Sequence, residues 1–141
     1  MTASTTTTPN QAGKGMRIAL WCVQVFLAIG FTVSGLQKLL TPIATLAAAA
    51  PWVATAPEAL VRFIGACEVA GAIGLIAPSV SRIKPGLSAL AAVGLATIML
   101  LALAFHVSRG EFFMIPVVVV LGGLCVFVAW GRAKRAPIAP R

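Results

Sequence analysis

Four long apolar runs organise this chain, and its few charges fall at their ends. Ile18 to Gln37 is a run of 20 residues between Arg17 and Lys38 without a charge. Phe63 to Ser81 carries one charge, Glu68. Pro85 to Ser108 covers 24 residues between Lys84 and Arg109, with His106 as its ionisable side chain. Phe112 to Gly131 supplies another 20 between Glu111 and Arg132. A helix rises about 1.5 Å per residue, and about 20 apolar residues cross the ~30 Å of hydrocarbon in a bilayer. The pattern therefore predicts an all-α, integral membrane four-helix bundle. Its transmembrane domain is expected over residues 15–132, with spans at about 17–38, 59–80, 85–107 and 112–131.

Leu39 to Pro57 is also uncharged, but it is mostly Ala and Thr and is cut by Pro42, Pro51 and Pro57. Proline removes a helical donor and clashes with the preceding turn, so this segment is expected to be a short interfacial or re-entrant piece between helices one and two, with a short helix near Ala44–Ala50. Residues 1–14 are small, polar and unpatterned and read as a disordered tail. A signal peptide over residues 1–34 is disfavoured, because its apolar core would exceed the usual length of about 7–15 residues. Residues 133–141 form a basic, proline-interrupted tail expected to lie along the inner leaflet.

Charge sets the orientation. With the N-terminus in the cytoplasm, that side holds Lys14, Arg17, Arg82, Lys84, Arg132, Lys134, Arg135 and Arg141, eight basic residues and no acid. The opposite side holds three, Lys38, Arg62 and Arg109, with all the acids, Glu58, Glu68 and Glu111. This is the positive-inside distribution, with both termini cytoplasmic. A fifth span at 39–57 would reverse it, seven against four, which argues for four. Charged residues are 10% of the chain against about 25% in soluble domains, and hydrophobic residues are 60%. The net charge of +8 then marks topology and anionic head groups, not nucleic acid.

Polar residues inside the spans are the functional candidates. Glu68 lies nine residues into the second helix, ~13 Å along its axis, where a carboxylate must be neutral or partnered. Its neighbours one turn away are mostly small, and Ala66/Ala70, Cys67/Gly71 and Ala70/Gly74 carry spacing that permits close helix contact. Arg62 points about 240° away from Glu68 and has Glu58 at i−4 as its local partner. With Lys38, His106, Arg109 and Glu111, these residues gather in the outer half of the membrane as the rim and floor of an outward-facing pocket. Glu68→Gln separates three roles for the carboxyl. A neutral bridge would survive the change, an ion pair would lose stability, and a proton or ligand site would fold and lose function. The third is the expectation here.

Thiol and metal chemistry find little support. Cys22, Cys67 and Cys125 sit singly in three spans and read as buried small hydrophobes. One His and no Asp make a protein-only metal site improbable. Gly122, Gly123 and the glycines of helix two read as packing residues.

The stretch Arg62-Phe-Ile-Gly-Ala-Cys-Glu68-Val-Ala-Gly-Ala-Ile-Gly-Leu-Ile-Ala-Pro78 resembles the DoxX-like membrane family. So do Ser34-Gly35-Leu-Gln-Lys38, the run Ala91 to Met99, His106 with Arg109-Gly-Glu111, and Phe127-Val-Ala-Trp-Gly-Arg132. The resemblance covers about residues 18–132. It implies a four-helix bundle in a bacterial inner membrane and carries the family's polar positions onto Lys38, Arg62, Glu68, His106 and Glu111. It also implies an accessory subunit of a membrane redox complex, with a quinone as candidate ligand; the lack of a soluble redox domain in the sequence argues against intrinsic activity in isolation. Two other readings stand beside it, a chaperone-like assembly factor for membrane helices and a small proton-coupled exporter. Lys38 and Arg62 would repel the cations such exporters usually carry. Partner subunits and homo-oligomerisation stay open, and no cofactor motif is present.

Overall fold

Each apolar run folds as one long helix, and prolines set most of the ends. The computed structural model describes residues 13–141, so residues 1–12 of the tail expected over 1–14 lie outside the described residues, while Lys14 already belongs to the first helix. Helix α1 spans Lys14–Leu40 and stops at Thr41–Pro42. The segment that follows holds a short helix, α2 at Ile43–Ala49, and a tight 3₁₀ turn at Pro51–Ala54. Helix α3 spans Glu58–Ser81 after Pro57, and α4 spans Gly86–Ser108 after Pro85. Helix α5 spans Ile115–Trp130, entered through a 3₁₀ turn at Phe112–Met114 and prolonged by a π-type turn at Gly131–Arg135. Among the described residues, four helices are thus long and apolar enough to cross a membrane.

The helices overrun the expected spans at several ends. Helix α1 begins at Lys14, and the last helix runs on to Arg135, past the expected stop at Gly131. A charge ends the hydrocarbon-compatible run without ending the helix. Nothing near Arg132 breaks helical geometry before Pro137. The α3–α4 turn is tight, and Arg82 and Lys84 take left-handed φ values of 59° and 47°.

Helix α1 packs chiefly on α3 and α4 chiefly on α5, while α3–α4 and α1–α5 contacts close the ring. Leu27 and Phe31 of α1, Leu75 of α3, Leu95 of α4 and Cys125 and Val128 of α5 meet in the core. Large side chains such as Phe26, Ile29, Leu100 and Val120 face outward, as a lipid-facing surface requires. Lipid tails are as apolar as leucine, so interhelical packing and hydrogen bonds hold the bundle rather than burial from water.

Helices α1 and α3 approach backbone to backbone at Gly35 and Gly65. A Cβ on Gly35 would sit 2.7 Å from the Gly65 carbonyl oxygen, and one on Gly65 would sit 2.8 Å from that of Gly35. The α1 and α3 backbones touch here, where no side chain fits between them. Among the other glycines read as packing residues, Gly122 meets Met99, whereas Gly123 has open space around it.

Candidate functional site

The glycine contact determines what lies one turn further along both helices. Lys38 follows Gly35 by three residues and Glu68 follows Gly65 by three, so both side chains project from beside this backbone contact. Lys38 Nζ donates to Glu68 Oε2 at 2.8 Å and Oε1 at 3.0 Å, and to Ser34 Oγ at 2.5 Å. All three ammonium hydrogens are used. The Glu68 side chain is 4% exposed and that of Lys38 is 15% exposed. An intramembrane carboxylate is tolerated when a partner is supplied from another helix, and here one is. Of the three roles open to Glu68, this geometry matches the ion pair most directly.

Arg62 does not reach Glu68. Its Nη1 donates to the carbonyls of Lys38 at 2.5 Å and Thr41 at 2.8 Å, and Nε and Nη2 hold Glu58 Oε1. It satisfies the open carbonyls at the C-terminal end of α1 and so fixes the backbone that carries Lys38.

A cavity of about 440 Å³ opens above the pair. Lys38, Glu68 and His106 supply its ionisable lining, and Phe63, Ile98, Met99 and Leu121 are among its apolar walls. Cys67 also lines it, while Cys22 is exposed and Cys125 lies in the core, so the buried reading of the cysteines holds for Cys125 alone. Trp52 of the α2–α3 connection stands edge-on to Phe105 of α4, with ring centroids 6.1 Å apart, at the cavity mouth.

His106, Arg109 and Glu111 form a second knot beside this mouth. His106 Nδ1 lies 2.6 Å from Glu111 Oε2, and Arg109 Nε donates to Glu111 Oε1 at 2.8 Å. The Arg109 guanidinium beside Glu111, and then His106, hold its carboxyl below the ordinary range. Arg109 Nη1 donates to Thr55 Oγ1 at 2.9 Å, tying the α4–α5 turn to the segment that carries Trp52. The six expected residues therefore divide. Lys38, Glu68 and His106 line the cavity, whereas Arg62, Arg109 and Glu111 brace the backbone and side chains around it. With Nδ1 committed to Glu111, His106 has Nε2 left for a ligand.

A polar cluster that sequence reasoning passed over lies at the other end of the bundle. Gln24 Nε2 donates to the Leu75 carbonyl at 2.6 Å and to Ser79 Oγ at 3.2 Å, and Ser79 and Ser88 share a hydrogen bond of 2.7 Å. Arg132 Nε donates to Gln24 Oε1 at 2.6 Å. In the sequence Arg132 looks like one more flanking cation. A helix that continues past it is what turns it inward.

A family model described as the DoxX-like family matches residues 22–128. No curated protein and no solved structure matches the chain.

Proposed function

Because the chain belongs to the DoxX-like family, we propose that this membrane protein is an accessory subunit that lends an outward-facing ligand pocket to a membrane redox complex. The observation that carries this reading is the cavity itself. Three ionisable groups, Lys38, Glu68 and His106, converge on a space otherwise walled by apolar side chains. Ligand sites have this character, with mostly apolar walls and a few placed polar groups that fix orientation. We place the termini in the cytoplasm of a bacterial cell and the cavity mouth on the far side, on the distribution of basic residues.

The donor set fits a quinone head group. The Lys38 ammonium can turn its Ser34 hydrogen to a quinone oxygen, and the wall residues suit the ring and the start of its tail. His106 Nε2 donates to the second oxygen when the ring carries both protons, and accepts a quinol hydroxyl when the proton sits on Nδ1 alone. A bound quinone would supply two-electron, two-proton redox chemistry for a neighbouring subunit. The chain's own residues would bind and orient the head group. Glu68 holds Lys38 beneath the head group, and Glu111 orients the His106 ring through Nδ1. Purification in mild detergent tests the reading, with bound proteins identified by mass spectrometry and bound quinone by solvent extraction. A reproducible membrane partner with quinone supports it; a chain that purifies alone and quinone-free contradicts it.

A further inference from the structure

Among the described residues, Arg132 is a buried cation without an anion. Its Nε is used by Gln24, and Nη1 reaches the Ala136 carbonyl only at 3.4 Å. Nη2 is buried with no hydrogen-bond partner, in a residue 6% exposed. Gln24, Ser79 and Ser88, which complete the cluster, are all neutral. The chain's three acids are engaged at the opposite end of the bundle, with Lys38, Arg62 and the His106–Arg109 pair. Arg17, the charge that acts electrostatically on the guanidinium, is a second cation. A buried charge needs pairing as well as hydrogen bonds. Water would satisfy Nη2 but leave the charge uncompensated.

The Nη1–Nη2 edge is the unsatisfied edge of the fork, and its two parallel donors match two oxygens of a phosphate. The level in the membrane also fits. The Arg132 guanidinium lies 5.1 Å from the Trp21 ring centroid and that of Arg135 lies 5.4 Å from the Trp130 centroid, and tryptophans collect at head-group depth. The chain after Ala136 crosses to the α3–α4 turn, where the Arg141 N–H donates to the Arg82 carbonyl at 3.2 Å. A phosphate that takes the fork gives up the long Ala136 contact and displaces the groups that cover Nη2.

We propose that Arg132 is a phosphate-binding site that holds the phosphodiester of an anionic phospholipid in the leaflet at the terminal end of the bundle. The site lies away from the cavity and does not depend on what the cavity binds. The test uses full-length protein carrying Trp52→Phe and Trp130→Phe, so that Trp21 alone reports, delipidated in dodecyl maltoside. It is titrated separately with dioctanoyl phosphatidylglycerol, dioctanoyl phosphatidylcholine and inorganic phosphate. Saturable change in Trp21 emission is expected with phosphatidylglycerol, roughly tenfold tighter than with phosphatidylcholine, and roughly tenfold weaker in Arg132→Gln. Inorganic phosphate binding as tightly as the lipid would keep the phosphate site and make its source soluble. No saturable response to any probe, or an unchanged response in a folded Arg132→Gln variant, would overturn the proposal. Native mass spectrometry of the unmutated protein covers the case in which that variant fails to fold. A retained anionic phospholipid supports the site, and a lipid-free chain from mild detergent contradicts it.

Discussion

Replacing Glu68 by Gln removes one charge from a pair in which every lysine hydrogen is engaged. At 2.8 Å the Coulomb attraction is about 6 kcal/mol for an effective dielectric of ~20, before the desolvation of both groups is counted. The amide keeps one acceptor for Lys38 Nζ but turns its NH₂ toward an ammonium that remains charged and largely buried. Breaking a buried pair from one side typically costs about 3–5 kcal/mol, while replacing both members with apolar groups of similar size is close to neutral. Glu68→Gln and Lys38→Met should therefore each destabilise by about that amount, and the double variant, which buries an amide but no unpaired charge, should lose clearly less than the sum of the two. The assay is reversible unfolding in mixed dodecyl maltoside–dodecyl sulfate micelles followed by circular dichroism, run as a double-mutant cycle. A Glu68→Gln variant as stable as the parent, or single losses that simply add in the double variant, would refute the ion-pair reasoning.

Other consequences follow from the same contacts. Gly65→Ala puts a Cβ 2.8 Å from both the Gly35 carbonyl oxygen and Lys38 Cβ, so α1 and α3 must separate; a loss of about 1–3 kcal/mol is expected in the same unfolding assay. Glu111 has a lowered pKa, so its contribution is fully present above the ordinary value of 4.5 and is lost as pH falls through the depressed folded value. Hydrogen exchange of residues 109–114 should thus be flat with pH, after correction for intrinsic rates, down to about 4.5 and faster below it. Single cysteines at Ala54 and Ala133, on a chain lacking native cysteines, should label from opposite sides, Ala54 from outside; equal labelling would contradict the orientation. Replacing Cys22 with Ser should leave stability unchanged, since its side chain faces outward, whereas Cys125→Ser, in the core, should lower it by about 1 kcal/mol.

The four spans were legible because lipid imposes a one-dimensional rule, a run of about 20 apolar residues between charges. The short helix between Pro42 and Pro51 was legible for a different reason, since proline acts locally. The Glu58–Arg62 pair followed from i, i+4 spacing along one helix. The Lys38–Glu68 pair did not, because it depends on how α1 and α3 slide and rotate against each other. Its trace in the sequence is a matched offset, with Gly35 three residues before Lys38 and Gly65 three before Glu68. That offset becomes visible only once the two glycines are known to touch. Arg132 was hidden by composition. Among eight basic residues at one end of the bundle, nothing local distinguishes the one that turns inward against Gln24.

The most direct test of the pocket is a titration of the purified protein with a short-chain quinone, read through Trp52, which lines the cavity. With Trp21 and Trp130 changed to Phe, the remaining emission should quench saturably, and His106→Gln should weaken the apparent affinity roughly tenfold while leaving the fold intact. Linear, unsaturable quenching that is identical in parent and His106→Gln protein would contradict a ligand site at this cavity.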